Sequence, residues 1–205
     1  MIVCIIGIAQ NITLRTTATY TFHFNDTYVV SDVSSEYANA EMSNMLANFF
    51  NSWNPKEFQI YEDTGYDIEG IFDAKDGYNM MTIKRALDIS LIAVIVSLVI
   101  TVSIYYYFLK HDYKPVLRNR FKVSAGLSVI ILVGEMILLN TEKGLGFMSK
   151  TLGLKILEDD SNLLTLLGGD FIDIASGFLF GFTVLVFLFA GYITHVLTKP
   201  PRIFF

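Results

Sequence analysis

The chain has one cysteine, one tryptophan, four prolines and three histidines in 205 residues, and each scarcity removes a class of explanation. A lone Cys4 excludes an intrachain disulfide framework and any cysteine-based zinc finger. Fifteen Lys and Arg against twenty Asp and Glu leave a net charge of −5, so there is no basic footprint and no nucleic-acid partner is expected. Charged residues are 17% of the chain, below the quarter usual in a soluble domain. No P-loop, G-x-S-x-G elbow or H-E-x-x-H motif occurs, and neither a cofactor nor a metal ion is expected. Internal repeats and low-complexity tracts are also missing.

What is abundant is apolar sequence, at 53% of residues with a mean hydropathy of +0.48. A bilayer core of about 30 Å needs roughly 20 apolar residues of helix. Ile89–Leu109 meets this without a charge and ends in the triple tyrosine Tyr105–Tyr107, suited to an interface. Val123–Asn140 carries one charge, Glu135, and Phe171–Leu197 carries Asp173 near its start and His195 near its end. Met1–Ala9 is a shorter apolar run that lacks a basic n-region and an A-x-A-like site, which argues against a signal peptide. It reads as a short or truncated first span within residues 1–15.

The expected fold class is therefore a mainly α membrane protein: four transmembrane helices and a small α/β extracytoplasmic cap. The boundaries are span 1 at 1–15, cap at 16–87, span 2 at 88–109, cytoplasmic loop at 110–122 and span 3 at 123–140. An outward or interfacial loop at 141–170, span 4 at 171–197 and a tail at 198–205 complete the chain. Residues 110–122 hold five Lys and Arg against one Asp, and the tail adds Lys199 and Arg202, whereas 16–87 holds eleven acidic residues against four basic. By the positive-inside rule both termini and 110–122 are cytoplasmic, and 16–87 and 141–170 face outward.

Within the cap, TYTFHF over Thr19–Phe24 alternates aromatic and polar residues and predicts a half-buried strand. Asn25-Asp26 predicts a turn and Tyr28–Val30 a return to strand. Ser34 or Ser35 is the expected cap of an amphipathic helix through Met42, Met45, Leu46, Phe49, Phe50 and Trp53, stopped at Asn54-Pro55. Glu57–Glu62 alternates again, and Asp76 is the expected cap of a helix running into span 2. The mixture of glycine and apolar residues in 141–170 predicts a segment lying in the interface or covering the bundle.

Candidate chemistry is sparse. His23 is the one histidine on the outward side, either a strand-surface residue or a general base. Glu135 is an intramembrane carboxylate, a functional hypothesis by default, with a hydrogen-bonded structural role as the plainer reading. Asp173 sits where a helix N-terminus stabilises it. Asp73, Asp76, Asp159 and Asp160 lack the alternation of a calcium loop. Gly177-x-x-x-Gly181 reads as helix packing. Two Asn-x-Thr sequons, at Asn11 and Asn25, bear only on a eukaryotic secretory host.

Taken in order, an apolar first segment, TYTFHFNDTYVV, SSEYANAEMSNMLANFFNSW, IFDAKDGYNMMTIKRAL before span 2 and TLGLKILEDDSNLLTLLGGDFIDIA before span 4 resemble the bacterial four-span lipoprotein intramolecular transacylases. The resemblance covers nearly the whole chain and lies in pattern and order. It implies a bacterial plasma-membrane location and an outward-facing transfer of a fatty acyl chain onto the α-amine of a lipidated cysteine. It also implies a membrane lipid or lipoprotein as partner; no protein partner is indicated. The family's L-F-N-x-x-E-x-x-H-M-x-D-V-K stretch places its histidine at Asn79 here. Met80, Ile83 and Lys84 keep the neighbouring positions, Thr82 replaces the aspartate, and the second family histidine falls near Phe147-Met148. Asparagine is no base near neutral pH, so the candidate catalytic residues are His23, Asn79, Lys84 and Glu135. The competing classes are a non-catalytic lipid- or lipoprotein-binding protein or accessory subunit, and a small transporter built on Glu135 and Asp173.

Overall fold

The computed structural model describes residues 1–53, 55, 57–63 and 67–199. The chain begins with α1 (Ile2–Arg15), then α2 (Thr17–Thr27), a single turn α3 (Val30–Val33) and α4 (Asn39–Asn51). A two-stranded antiparallel hairpin follows, β1 (Tyr61–Asp63) on β2 (Ile68–Gly70), with Glu62 opposite Glu69. The remainder is helical: α5 (Ala74–Lys110), α6 (Lys114–Leu139), α7 (Glu142–Leu152), α8 (Asn162–Leu167) and α9 (Gly169–Thr198). Among the described residues three stretches are long and apolar enough to cross a membrane, namely α5, α6 and the continuous α8–α9 unit. The α1–α2 pair, bent by 54°, supplies a fourth if it is one broken span. The architecture is mainly helical, with three or four helices able to cross a membrane and a small sheet between the early helices.

Helix α1 is the hub of the bundle and packs against α5, α6 and α9. Its Gly7 is required by the close approach to α5, because a Cβ there would stand 2.4 Å from Val94 Cγ2. Ala9, Leu132 and Leu179 form a small core where α1, α6 and α9 meet. A larger core lies at the end of the bundle where α5 and α9 begin, and there Tyr20 is stacked between Phe50 and Phe171 at centroid distances of 6.4 and 5.5 Å. Met42, Leu46, Phe58, Phe72, Met80 and Leu166 close around it.

The predicted strand at Thr19–Phe24 is helical, as α2. The aromatic alternation fits period two, but Thr19, Tyr20, His23 and Phe24 are the buried residues, which is a helical stripe. The bend after α1 decides the matter by freeing carbonyls that α2 satisfies: Thr19 Oγ1 donates to Thr13 O at 2.7 Å and Tyr20 Oη to Leu14 O at 2.7 Å. Asn25-Asp26 lies inside the helix, and Val30 begins a turn of helix rather than a strand. The cap is thus helical apart from its hairpin.

Several helix boundaries also move. Helix α4 starts at Asn39, with the Ala38 N–H donating to Glu41 Oε2 at 3.1 Å. Neither Ser34 nor Ser35 caps α4: Ser34 Oγ accepts from Glu36 N–H at 3.2 Å, ahead of the helix, and Ser35 N–H and Oγ bond Glu62 Oε1 on the hairpin at 3.0 and 2.9 Å. Trp53 lies past the end of α4 and is 95% exposed, off the apolar face assigned to it. Asn54 of the expected stop lies outside the described residues. Asp73, not Asp76, is the N-cap of α5: its Oδ1 accepts from Asp76 N–H at 2.6 Å, while Asp76 Oδ2 accepts from Asp73 N–H. Helix α6 takes in residues 114–122, leaving His111–Tyr113 as the turn between two long helices. Gly177 and Gly181 have open space where side chains would stand, so they face away from the rest of the chain rather than packing within it.

The hairpin is fastened to residues 35–37 chiefly through Glu62, with Asp63 N–H donating to Glu36 Oε2 at 2.9 Å and Tyr37 Oη to Tyr61 O. The Ser35 hydroxyl foremost, aided by the backbone N–H groups of Ser35 and Glu36, holds the Glu62 carboxyl below its ordinary range. A depressed carboxylate stabilises the fold above its unfolded pKa of about 4.3, and that contribution is lost as pH falls through the lower folded value. Acidification is expected to release β1 from residues 35–36 before the core opens, read as faster amide exchange at Ser35 and Glu36. Glu62→Gln should show the same release at neutral pH.

Candidate functional site

Each residue singled out in the sequence now has a place, and they do not converge. Asn79 is buried on the first turns of α5 and spends both ends of its amide on one backbone unit. Its Nδ2 donates to Lys155 O at 2.9 Å and its Oδ1 accepts from Lys155 N–H at 2.8 Å. Glu135 on α6 accepts a hydrogen bond from Gln10 Nε2 on α1. His23, 1% exposed, packs against Phe24 and Phe171, and its Nε2 lies 3.0 Å from Leu166 O. Its Nδ1 has no hydrogen-bond partner among the described residues. Bonding a carbonyl requires the proton on Nε2, which leaves Nδ1 a bare lone pair in an aromatic pocket.

Lys84 is the one candidate that belongs to a charged cluster. Its ammonium, 2% exposed, lies 3.1 Å from Asp88 Oδ2, 3.2 Å from Phe50 O and 6.0 Å from the Phe49 ring centroid. Arg15 completes the group: its Nη2 reaches Asp88 Oδ1 at 2.5 Å, its Nη1 donates to Phe50 O, and its Nε donates to Asn11 Oδ1 at 3.0 Å. Two cations therefore share one carboxylate and one carbonyl where α1, α4 and α5 meet. The signal for it was present in the sequence: Arg15 is the first charged residue in the chain, and Lys84 and Asp88 stand four apart at the start of an apolar run. Helical spacing brings the last two together; nothing in one dimension brings Arg15 to them.

A separate groove of about 470 Å³ runs between α2 and α9, lined by Ala18, Thr21, Phe22, Asn25, Asp26 and Phe178. The Phe22 and Phe178 rings meet edge to face at 5.8 Å. Those α2 residues form the face opposite His23, so the free imidazole nitrogen does not line the groove. No hydrogen bond or ion pair joins His23, Asn79, Lys84 and Glu135 to one another, and no group of three His, Cys, Asp or Glu side chains able to hold a metal ion occurs among the described residues.

Comparison with protein-family models, curated proteins and solved structures finds no match for the chain.

The cluster predicts a stability asymmetry. Removing one partner of a fully buried ion pair costs about 3–5 kcal/mol because a charge is left uncompensated. Asp88 is 43% exposed, which reduces that to about 1–3 kcal/mol for Asp88→Asn. Asp88→Asn combined with Lys84→Met should recover part of the loss, since the buried ammonium left without its carboxylate is then gone as well. Unfolding in mixed micelles measures both, and equal stability of single variant and wild type would refute the reading.

Proposed function

We propose that this protein holds a membrane lipid or lipoprotein at the outward boundary of a bacterial plasma membrane without chemically converting it. The observation that carries the reading is the Asn79 amide. The resemblance to the transacylases places a base there; this chain has a side chain with no basic nitrogen, and its donor and acceptor are both committed to the Lys155 backbone. Lys84 is likewise committed to Asp88 and Phe50 O, and Glu135 to Gln10. The groove between α2 and α9 supports binding, with aromatic rings at Phe22 and Phe178 for an acyl chain and polar groups at Thr21, Asn25 and Asp26 for a head group. Both termini and the turn at His111–Tyr113 are cytoplasmic in this reading, and the cap faces outward.

A second reading, acyl transfer onto the α-amine of a lipidated cysteine, is favoured by one observation. His23 Nδ1 is unpartnered and unprotonated, the state a general base requires. Expression in a host that makes diacylated lipoproteins, followed by mass spectrometry of their N-terminal lipopeptides, separates the two. The binding reading expects no lyso-form product. Product that disappears in His23→Ala would establish the transfer reading and overturn the first.

Orientation is tested in a Cys4→Ala background by labelling with a membrane-impermeant thiol reagent. Asp67→Cys should react in intact cells and Asn119→Cys only after permeabilisation; the reverse pattern would invert the topology.

A further inference from the structure

Residues 153–161 join α7 to α8 in extended conformation and turns, and they are fastened almost entirely to the start of α5. Four side chains in the first turns of that helix, and a backbone carbonyl two residues before its cap, supply the fastenings. Lys75 Nζ pairs with Glu158, and Asp76 Oδ1 accepts from Ser161 Oγ at 2.6 Å. The Tyr78 ring lies under Lys155 Nζ at 4.3 Å, and Asn79 bonds both backbone groups of Lys155. Ile71 O accepts from Asn162 Nδ2 at 2.7 Å, just past the segment's end. Against these polar ties stands one apolar plug, Leu157, partly buried on the large core, while Ile156 beside it is 90% exposed.

We propose that residues 153–161 are a strap that opens as a unit, uncovering Asp76 and Asn79 at the outward end of span 2 while the core beneath stays packed. The energetics favour this over a permanent seal. A hydrogen bond given up to water costs little because water replaces it, and an exposed ion pair such as Lys75–Glu158 contributes little and is screened by salt. Of the half-buried Leu154 and Leu157 only Leu157 packs on the large core, so opening does not require the Tyr20–Phe50–Phe171 stack to separate. The ends are built for it. Gly153 has φ +72°, in the left-handed region that favours glycine, and has open space around it. At the other end Ser161 caps α8, its Oγ accepting from Leu164 N–H at 3.2 Å, so α8 keeps its own start when the Asp76 bond breaks.

What the closed strap occupies is chemically specific. Asn79 presents a donor and an acceptor side by side, and Asp76 presents a carboxylate; both are buried only while the strap is down. The strap therefore competes with any ligand for these groups. It does not depend on whether the protein binds or converts its lipid, because it controls access in either case.

Hydrogen exchange on the full chain in nanodiscs tests this. Of the strap's hydrogen-bonded amides, Gly153 and Leu154 bond back to α7 and Ser161 bonds Glu158 within the strap, so Lys155, bonded to Asn79 Oδ1, reports release from α5. It should exchange well ahead of the Leu46 and Ala47 amides in α4. Lys75→Met, which leaves the Lys155 bond in place, should accelerate it by about two- to fivefold, the worth of an exposed ion pair, with α4 unchanged. Raised salt should accelerate it in wild type and not in Lys75→Met. Lys155 exchanging at the α4 rate, or indifferent to Lys75→Met, would overturn the proposal.

Discussion

The cap and the bundle are held to each other at one charged point, where Arg15 and Lys84 share Asp88 and the carbonyl of Phe50. Arg15 ends the first helix, Phe50 lies in the last turn of α4, and Lys84 and Asp88 lie on α5 just before its apolar run. Three elements that must meet are fixed by groups that cannot remain apart at an apolar boundary without partners. The balance is close to neutral. Two full cations face one carboxylate and the negative end of the α4 dipole, and Asn51 Nδ2 ties α4 back to Arg15 O at 2.7 Å. Phe50 also supplies a face of the Tyr20 stack, so the same residue anchors the polar junction with its backbone and the apolar core with its ring.

Below that point the bundle uses small polar contacts of a kind that suits a lipid surround, where apolar surface alone gives helices little reason to associate. Cys4 Sγ donates to Ser97 Oγ at 3.2 Å, Asn11 Nδ2 to Ser90 Oγ at 3.3 Å, and Tyr105 Oη lies 2.7 Å from Thr194 Oγ1. Gln10 and Glu135 join α1 to α6 in the same way. Helix α1 takes part in three of these four contacts. A short helix rich in Gln, Asn, Thr and Cys looked like a defective span in one dimension; in three it is the central strut, and its polar residues are the reason.

This explains how much of the fold was legible. The three long spans were, because hydropathy over about 20 residues is a property of the segment itself. The 142–152 and 162–167 helices were legible only as something other than a free loop. The helix at Thr19–Phe24 was not legible, because alternation of aromatics satisfies period two and a helical stripe at once, and the deciding carbonyls belong to Thr13 and Leu14 upstream. Ser34 and Ser35 were misassigned for a related reason: a serine before a helix looks like a cap whether its partner is the helix or a hairpin glutamate 27 residues away.

The candidate residues fared as their chemistry required. His23, Asn79, Lys84 and Glu135 were singled out because polar groups stand out against apolar sequence, and a polar group in such surroundings must find a partner or function exposed to one. Asn79, Lys84 and Glu135 each have a partner: a backbone unit, an ion pair and a neighbouring amide. In His23 half of the side chain is satisfied and half is not. A buried nitrogen without a partner costs free energy that a mere packing residue would have no reason to retain, since phenylalanine or leucine would fill the space against Phe24 and Phe171 without it. The imidazole is therefore one of three places among the described residues, with the Thr16 and Thr183 hydroxyls, where the fold tolerates an unmet demand. The imidazole pocket lies against Leu166 of α8, directly downstream of the segment laced to α5, so a change in 153–161 has a short covalent path to the carbonyl that now holds His23.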